Sequence, residues 1–495
     1  MAEQRITKRT DDYNQWYQDV IAQAELAEPA GVVRGCMVIR PHGFAIWEKM
    51  QADLDRRFKE TGHKNACFPL LIPMSFIEKE AQHVDGFAPE LAVVTHAGGK
   101  ELEEQYAIRP TSETIIGHFF SRWIDSHRDL PLLINQWGNV MRWELRTKLF
   151  LRTGEFLWQE GHTAHATHED AHEEVVRMLQ VYRDFCHEVM AVPVVRGTKT
   201  ESERFAGAIE TRCIEAFMQD GKALQAGTSH DLGQNFGKAF NVTFQNDGGE
   251  REFVWQTSWG VSTRLVGALI MSHSDDDGLV LPPRLAPIHV AIVPIHKKPE
   301  ERAQVVEKAN QIAAELRDDG LTVEVDDRDD MRPGAKYFEW ERKGVPLRLE
   351  LGPRDLTENA VMAKLRLAEL DERGRPKKLK LPMEGLGVEI GKLLDGFQAE
   401  LFQRAETRLA ENTIHVDTWD EFQDVFRDEG SSKFVYAHWD GTAETEAAIK
   451  NETKATIRCL PYAEDRPEGS DGAEPGTCVK TGQPSEQRVL FAKAY

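Results

Sequence analysis

The sequence contains no run approaching 18 apolar residues, so no segment reads as a membrane-crossing helix. Its opening stretch, MAEQRITKRTDDYNQWYQ, lacks the apolar core of a secretory signal, and the expectation is a cytoplasmic chain with no membrane partner. Cysteine is sparse. Cys36, Cys67, Cys186, Cys213, Cys459 and Cys478 include no C-x-x-C pair, which argues against a disulfide framework or an all-cysteine zinc site. Basic residues are in deficit: 61 Lys+Arg against 82 Asp+Glu leave a net charge of −21, which disfavours indiscriminate nucleic-acid binding but permits a local basic patch. Neither G-x-x-x-x-G-K-[ST] nor a strand-borne G-x-G-x-x-G is present, so any nucleotide must be held by side chains.

What is there fits a soluble globular chain of about three domains: 495 residues, 41% hydrophobic and 29% charged. From Val32 to about Pro283 the strand candidates FPLLIP, QYAIRP, PLLINQW and FVWQTSWG do not alternate regularly with helices, which predicts an α+β domain around an antiparallel sheet. The proline-rich LPPRLAP (281–287) breaks the pattern. Beyond it, IHVAIVPI, a helix with Val305, Val306, Ala309, Ile312, Ala313 and Leu316 on one face, LTVEVD, a second helix and VPLRLELG predict an α/β unit with a parallel sheet. A helix near residues 391 to 409 opens a third, small α+β segment, in which AEDRPEGSDGAEPG reads as an exposed loop. The expected domains are 1–283, 284–396 and 397–495.

Clustered arginines are the candidates for phosphate contact. Arg142-Trp143-Glu144 precedes a basic stretch with Arg146, Lys148 and Arg152, then Glu155-Phe156-Leu157-Trp158, and far downstream Arg264 in TSWGVSTRLVGAL. A guanidinium pairs bidentately with phosphate and stacks on flat rings, the two contacts a nucleotide needs. Taken alone, the R-x-E triplet reads as a surface ion pair, and only the joint pattern points to a nucleotide. A rival reading is a zinc hydrolase, since His162, His165, His168 and His172 recur at helical spacings, although the H-E-x-x-H order is absent. The run 273–277, HSDDD, reads as a solvated loop.

In their order, the R-x-E triplet, basic loop, E-F pair and distant arginine resemble motifs 2 and 3 of class II aminoacyl-tRNA synthetases. RPTSE (109–113), RWELRTKLFLRTGEFLWQEGHTAH (142–165), LQAGTSHDLGQNF (224–236) and WQTSWGVSTRLVGAL (255–269) resemble the prolyl-tRNA synthetases of archaeal and eukaryotic-like type, from about Cys36 to Tyr495. The resemblance implies a class II catalytic domain, an anticodon-binding domain and a C-terminal domain. It implies ATP-dependent attachment of L-proline to tRNA(Pro) through a prolyl-adenylate with Mg²⁺, in a homodimer formed by a helix near residues 44 to 58 and a strand ending at Pro69. By the same resemblance Arg142 holds the α-phosphate and the proline carboxylate, Glu144 and Thr153 fix the adenine, Phe156 stacks on it, Arg264 holds the far phosphates, and Gln225 and Thr228 touch ATP. Thr111, Glu113, Trp158, Glu160, His162, Phe205 and His230 would form the proline pocket, with Thr111 also able to cap the turn at RPTSE.

Phe338, Glu341, Arg348, Glu350 and Arg354 are the tRNA candidates in the α/β unit. Lys364, Arg366, Arg373, Arg375, Lys377, Lys378 and Lys380 form a local basic excess suited to a phosphate backbone. Where relatives hold zinc with four cysteines, the sequence offers Asp440, Thr445, Cys478 and Thr481, so no structural zinc is expected. About 65 residues between His162 and Thr228 leave no space for an editing insertion, so activation of alanine or cysteine without hydrolytic correction is expected. The Tyr495 carboxylate would point towards the active site. Two alternatives stay open: a catalytically silent paralogue that binds tRNA, and the same chemistry on another amino acid.

Overall fold

A computed structural model describes residues 6–79, 91–144, 146–427, 432–466 and 475–495. Helix α1 (Tyr13–Gln23) starts where Asp12 accepts from the Gln15 amide, and it buries Trp16, Tyr17, Val20 and Ile21. Helix α2 (Pro41–Glu60) opens on proline and buries Ile46, Trp47, Met50, Leu54 and Phe58 at helical spacing. The strand expected after it is only β1 (Lys64–Asn65) and does not reach Pro69. Side chains take over the ladder there: the Phe68 amide donates to Gln136 and its carbonyl accepts from Arg109.

Helix α3 (Glu113–Trp123) leads into the central sheet, built from β2 (Leu132–Met141), β3 (Glu155–His165), β4 (Val194–Thr198), β5 (Glu210–Phe217), β6 (Ala223–Gly233) and β7 (Trp255–Ser262). These six run antiparallel to one another, as the sequence led us to expect, and β1 joins β2 in parallel at the edge. Helix α4 (His168–Glu188) follows β3 and helix α5 (Arg264–His273) follows β7. With α1 and α2 they bury one face of the sheet in a core that includes Tyr182, Phe185, Trp259 and Leu269.

The α/β unit holds β8 (Val290–Pro294), α6 (Pro299–Asp318), β9 (Val323–Val325), α7 (Pro333–Arg342), β10 (Leu347–Leu351), β11 (Ala360–Leu365) and β12 (Leu379–Pro382). Its sheet has the order β9-β8-β10-β11-β12. The first three strands are parallel, but β11 and β12 return antiparallel, so the sheet is mixed. Helix α8 (Leu386–Glu411) then runs unbroken through the boundary expected at 396–397. Its first half buries Leu386, Ile390 and Leu394 on the α/β core, whereas Phe397 and Leu401 pack with Ala191 and Val280 of the first domain.

The last segment contributes β13 (Thr413–His415), α9 (Trp419–Phe426), β14 (Phe434–His438), α10 (Ala443–Thr453), β15 (Thr456–Pro461) and β16 (Arg488–Ala492). These strands are not a separate sheet. β15 pairs with β4, giving an 11-stranded order β13-β14-β16-β15-β4-β5-β6-β7-β3-β2-β1. Of the exposed loop expected at residues 463–476, positions 467–474 lie outside the described residues.

Two ion clusters lock the domains. At the β4–β15 seam the Lys199 ammonium donates to Glu215 (2.8 Å) and the Arg458 guanidinium donates to both Glu215 oxygens (3.1 Å), with Glu215 fully buried. Arg366 donates to both oxygens of Asp275 (2.9 and 2.6 Å) and to the backbone carbonyls of Leu279 and Glu341. The run at 273–277 is therefore a clasp between domains and not a solvated loop: Asp276 pairs with Arg9, and His273 bonds the Met190 carbonyl. Replacing Glu215 with Gln leaves two buried cations short of their partner. The expected cost is about 3–5 kcal/mol, measured as a lowered urea midpoint for the Glu215→Gln protein.

Candidate active site

Strand alternation sorts β3 into two faces. Phe156, Trp158, Glu160 and His162 line a cavity of about 250 Å³. On the opposite face Gln159 accepts from the Tyr182 hydroxyl (2.7 Å), and Thr163 bonds His165 (2.7 Å). Gly161 is required here: a Cβ would meet the Trp259 indole at 2.1 Å. On β6 the extra residue Ala226 makes a bulge, so that Gln225 enters the cavity on the same side as Thr228 and His230.

The turn at 109–113 is stapled to the sheet. Arg109 donates to the carbonyls of Asn139 (2.7 Å) and Phe68 (3.0 Å), and Arg142 Nε donates to the Pro110 carbonyl (3.0 Å). Thr111 does not cap the following helix. Its hydroxyl donates to Glu113 (2.5 Å), and the N-cap position belongs to Ser112, whose own hydroxyl goes to Glu160 (2.5 Å). Glu160 also accepts from Gln136 (2.8 Å) and bonds His162 Nε2 (3.0 Å). Ser112 and Gln136 escaped the sequence reading, although Gln136 sits directly across the β2–β3 register from Glu160.

Electrostatics divide the cavity. Burial raises the Glu160 carboxyl, but the hydrogen bond and charge of His162, with Ser112 and Gln136, more than reverse it, so Glu160 is held below its usual range. Burial likewise works against the His162 cation, yet Glu160 and then Glu113 hold it above its usual value. His230 is driven the other way, down to about 4, by burial and the positive charges of His162 and Arg142 against Glu113. It is neutral, bonded to the Thr211 hydroxyl (2.9 Å) and packed on the Phe205 ring (4.6 Å). At the other end Arg142 lies 5.6 Å from the ring centres of both Phe156 and Trp158. Burial, with Arg142 and Arg152 nearby, pushes the Arg264 guanidinium down to about 10.

A second cavity of about 150 Å³ adjoins the first, and Arg142, Phe156 and Arg264 line both. Glu144 and Thr153 line only the second, Glu144 pairing with Arg152 (2.5 Å). All fourteen residues expected at the amino-acid and nucleotide sites thus line two adjoining spaces. The four histidines of the rival metal reading go to separate partners: His162 to Glu160, His165 to Thr163, His168 to Asp231 and His172 to Arg212. Among the described residues no group of three His, Cys, Asp or Glu is arranged to hold a metal.

The tRNA candidates divide. Phe338, Glu341, Arg348 and Lys364 line one cavity of the α/β unit, about 910 Å³. There Glu341 accepts from Arg348 and Lys364 (both 2.5 Å), and Arg348 lies 3.8 Å from the Tyr337 ring centre. Arg354 is not brought there: it is 87% exposed and paired with Glu358. Six of the seven cations in the expected phosphate patch are matched with acids, Lys364 with Glu341, Arg366 with Asp275, Arg375 with Asp371, Lys377 with Glu369, Lys378 with Glu350 and Lys380 with Glu358. The excess seen in sequence is largely spent within the protein. In the C-terminal segment Asp440 accepts from the hydroxyls of Thr445 and Thr481 (both 2.8 Å), with Cys478 buried in the same segment.

Three family models match the chain: "tRNA synthetase class II core domain (G, H, P, S and T)" over residues 94–273, "Anticodon binding domain" over 289–386 and "Prolyl-tRNA synthetase, C-terminal" over 419–495. Among similar curated proteins is a proline--tRNA ligase of Porphyromonas gingivalis, 56% identical across 99% of both chains. Others of the same name come from Chlorobium phaeovibrioides, 57% identical across 99% of both chains, and Prosthecochloris aestuarii, 57% identical across 100% of both.

The opposed histidines yield a test. The Glu160–His162 pair stabilises the fold fully between the ordinary values of 4.5 and 6.5, losing its contribution on acidification through the lowered Glu160 value and on alkalinisation through the raised His162 value. Titration of ¹³C-labelled histidine by NMR is expected to give His230 at about 4 and His162 above 6.5. In Glu160→Gln, His162 should fall below 6.5, because burial then outweighs the remaining Glu113 charge.

Proposed function

The chain belongs to the prolyl-tRNA synthetases, and we propose that its two adjoining cavities join L-proline to ATP and then to tRNA(Pro). The observation that carries this is the split polarity of one continuous site. The carboxylates Glu113 and Glu160 stand at one end with the single cation His162, and Arg142 and Arg264 at the other. Proline has matching polarity, a secondary ammonium at one end of an apolar ring and a carboxylate at the other. In this reading Thr111 and Glu113 take the ammonium, Glu160 and His162 fix its surroundings, and Trp158, Phe205 and His230 wall the ring. Arg142 draws the carboxylate towards the α-phosphate. The adenine stacks on Phe156 between Glu144 and Thr153, with Gln225 and Thr228 against the nucleotide. Arg264, at the first position of α5, takes the far phosphates where the helix N-terminus favours anions.

The chemistry is positional. A proline carboxylate oxygen attacks the α-phosphorus as pyrophosphate leaves, and a ribose hydroxyl at the tRNA terminus then attacks the prolyl carbonyl as AMP leaves. No side chain is acylated. Arg142 meets the charge that grows on the α-phosphate as the first bond forms. Mg²⁺ enters as part of the nucleotide substrate, and the charges of this chain that meet the phosphates are those of the two arginines.

Residues 166–222 form α4, β4 and β5 of the core itself, which supports a site without an editing domain. The anticodon fits the Phe338 cavity, with Glu341, Arg348 and Lys364 at its wall and Arg354 outside it. The Asp440 hydroxyl cluster stands in for a metal, so the C-terminal domain is read as folding without zinc. A homodimer through α2 and a cytoplasmic location complete the reading; among the described residues no helix is long and apolar enough to cross a membrane.

ATP–pyrophosphate exchange with proline, alanine, cysteine and threonine tests this function. Proline should drive exchange best, alanine and cysteine detectably, and Arg142→Ala should reduce it by at least about 10²-fold. Tight tRNA binding without exchange from any amino acid would favour the silent paralogue.

A further inference from the structure

The hairpin tip at residues 148–152 lies between Glu144 and Thr153. Two backbone bonds close it, Lys148 N to Arg152 O (2.7 Å) and Arg152 N to Lys148 O (2.8 Å). Phe150 turns the chain in the left-handed region (φ 62°) and buries its ring. The Leu149 carbonyl accepts from the Tyr17 hydroxyl of α1 (2.8 Å), and the Leu151 carbonyl accepts from Arg264 (3.2 Å). The side chain of Lys148 provides a further anchor. Its ammonium lies 5.0 Å from the ring centre of Tyr17 and 4.6 Å from that of Tyr495, and it donates to Asn14 Oδ1 (2.8 Å). Tyr495 is itself fixed, its hydroxyl donating to Asp220 (2.5 Å) and its amide to the Ala223 carbonyl (3.1 Å). Two segments remote in sequence, 14–17 and 495, therefore converge on one cation of the hairpin, and 220–223 anchors Tyr495 there.

We propose that Lys148, clamped between Tyr17 and Tyr495, is a positioning residue that holds the Glu144–Thr153 hairpin in its nucleotide-binding form. The proposal rests on the assignment of Glu144 and Thr153 to the adenine. A partly buried ammonium between two aromatic faces favours that geometry over a solvated one. Without it, ATP must order the hairpin as it binds, which weakens binding and leaves the chemistry at saturation unchanged.

The clamp is built to respond to pH. Lys148 faces Asn14, Tyr17 and the cap residue Asp12 from α1, the Tyr495 ring, and Asp220 and Lys222 from the turn before β6. Burial, then the charge of Lys222, bring its ammonium down to about 8 against the pull of Asp220 and Asp12. The cation is present below that value and lost above it.

Proline-dependent exchange, measured at pH 7 and pH 9 with thermal midpoints recorded for each protein, tests the clamp. Lys148→Met and Tyr495→Ala should each raise the KM for ATP about three- to tenfold at pH 7, with kcat and the KM for proline within about twofold. The wild type should approach Lys148→Met at pH 9, and Lys148→Arg, charged at both values, should keep the low KM. An ATP KM unchanged in folded Lys148→Met overturns the clamp alone. So does a defect confined to the KM for tRNA, which would make Lys148 a tRNA contact. Absence of proline-dependent exchange in the wild type overturns the parent function and the clamp together.

Discussion

A carboxylate buried on a β-strand governs this site. Glu160 is out of reach of water, and a buried charge persists only where hydrogen bonds and a counter-charge replace solvation. His162 supplies the charge, with Ser112 and Gln136 supplying further hydrogen bonds. Each of those partners is then committed. Ser112 cannot cap α3 with its side chain, Gln136 reaches on to the Phe68 amide, and His162 keeps a proton that burial alone would remove. The turn bearing Thr111 and Glu113 is drawn against β3 by the same bonds, so the shape of the pocket and its charge have one origin.

The arginine end of the cavity follows the opposite rule. Arg142 and Arg264 share the wall between two cavities, and their mutual repulsion adds to burial in depressing Arg264. Repulsion of that kind is relieved by an anion between them, which is how, on the proposed function, a site without a glycine-rich phosphate loop favours triphosphate. The hairpin joining Glu144 to Thr153 is fixed by Arg264 on one side and by α1 on the other. The residues proposed to meet the nucleotide and the N-terminal helix are thus parts of one packed unit.

Much of this was legible in the sequence, because motif residues a few positions apart lie on one strand or one turn. The alternation in EFLWQEGH puts Phe156, Trp158, Glu160 and His162 on one face by strand geometry alone. Partners from other strands were not legible: nothing local in Gln136 says that it opposes Glu160, and nothing in Ala226 says that a bulge there turns Gln225 inward. The pairing of the basic excess around Lys364 to Lys380 was hidden for the same reason. Composition counts charges but not their partners, and Arg366 belongs to Asp275, almost 100 residues upstream. The domain boundary at 396–397 failed to register a helix that serves two cores, and the β4–β15 pairing that joins the last segment to the central sheet joins residues over 250 positions apart.

On the proposed function, the carboxylate end of the cavity reads a positive charge on the substrate. Exchange driven by proline compared with tetrahydrofuran-2-carboxylate, which keeps the ring and the carboxylate but has an ether oxygen in place of the ammonium, tests it most directly. Proline-dependent exchange is expected, with a loss of at least about 10³-fold for the ether, since Glu113 and its neighbours would be buried against an uncharged acceptor. Comparable exchange with both compounds would contradict it.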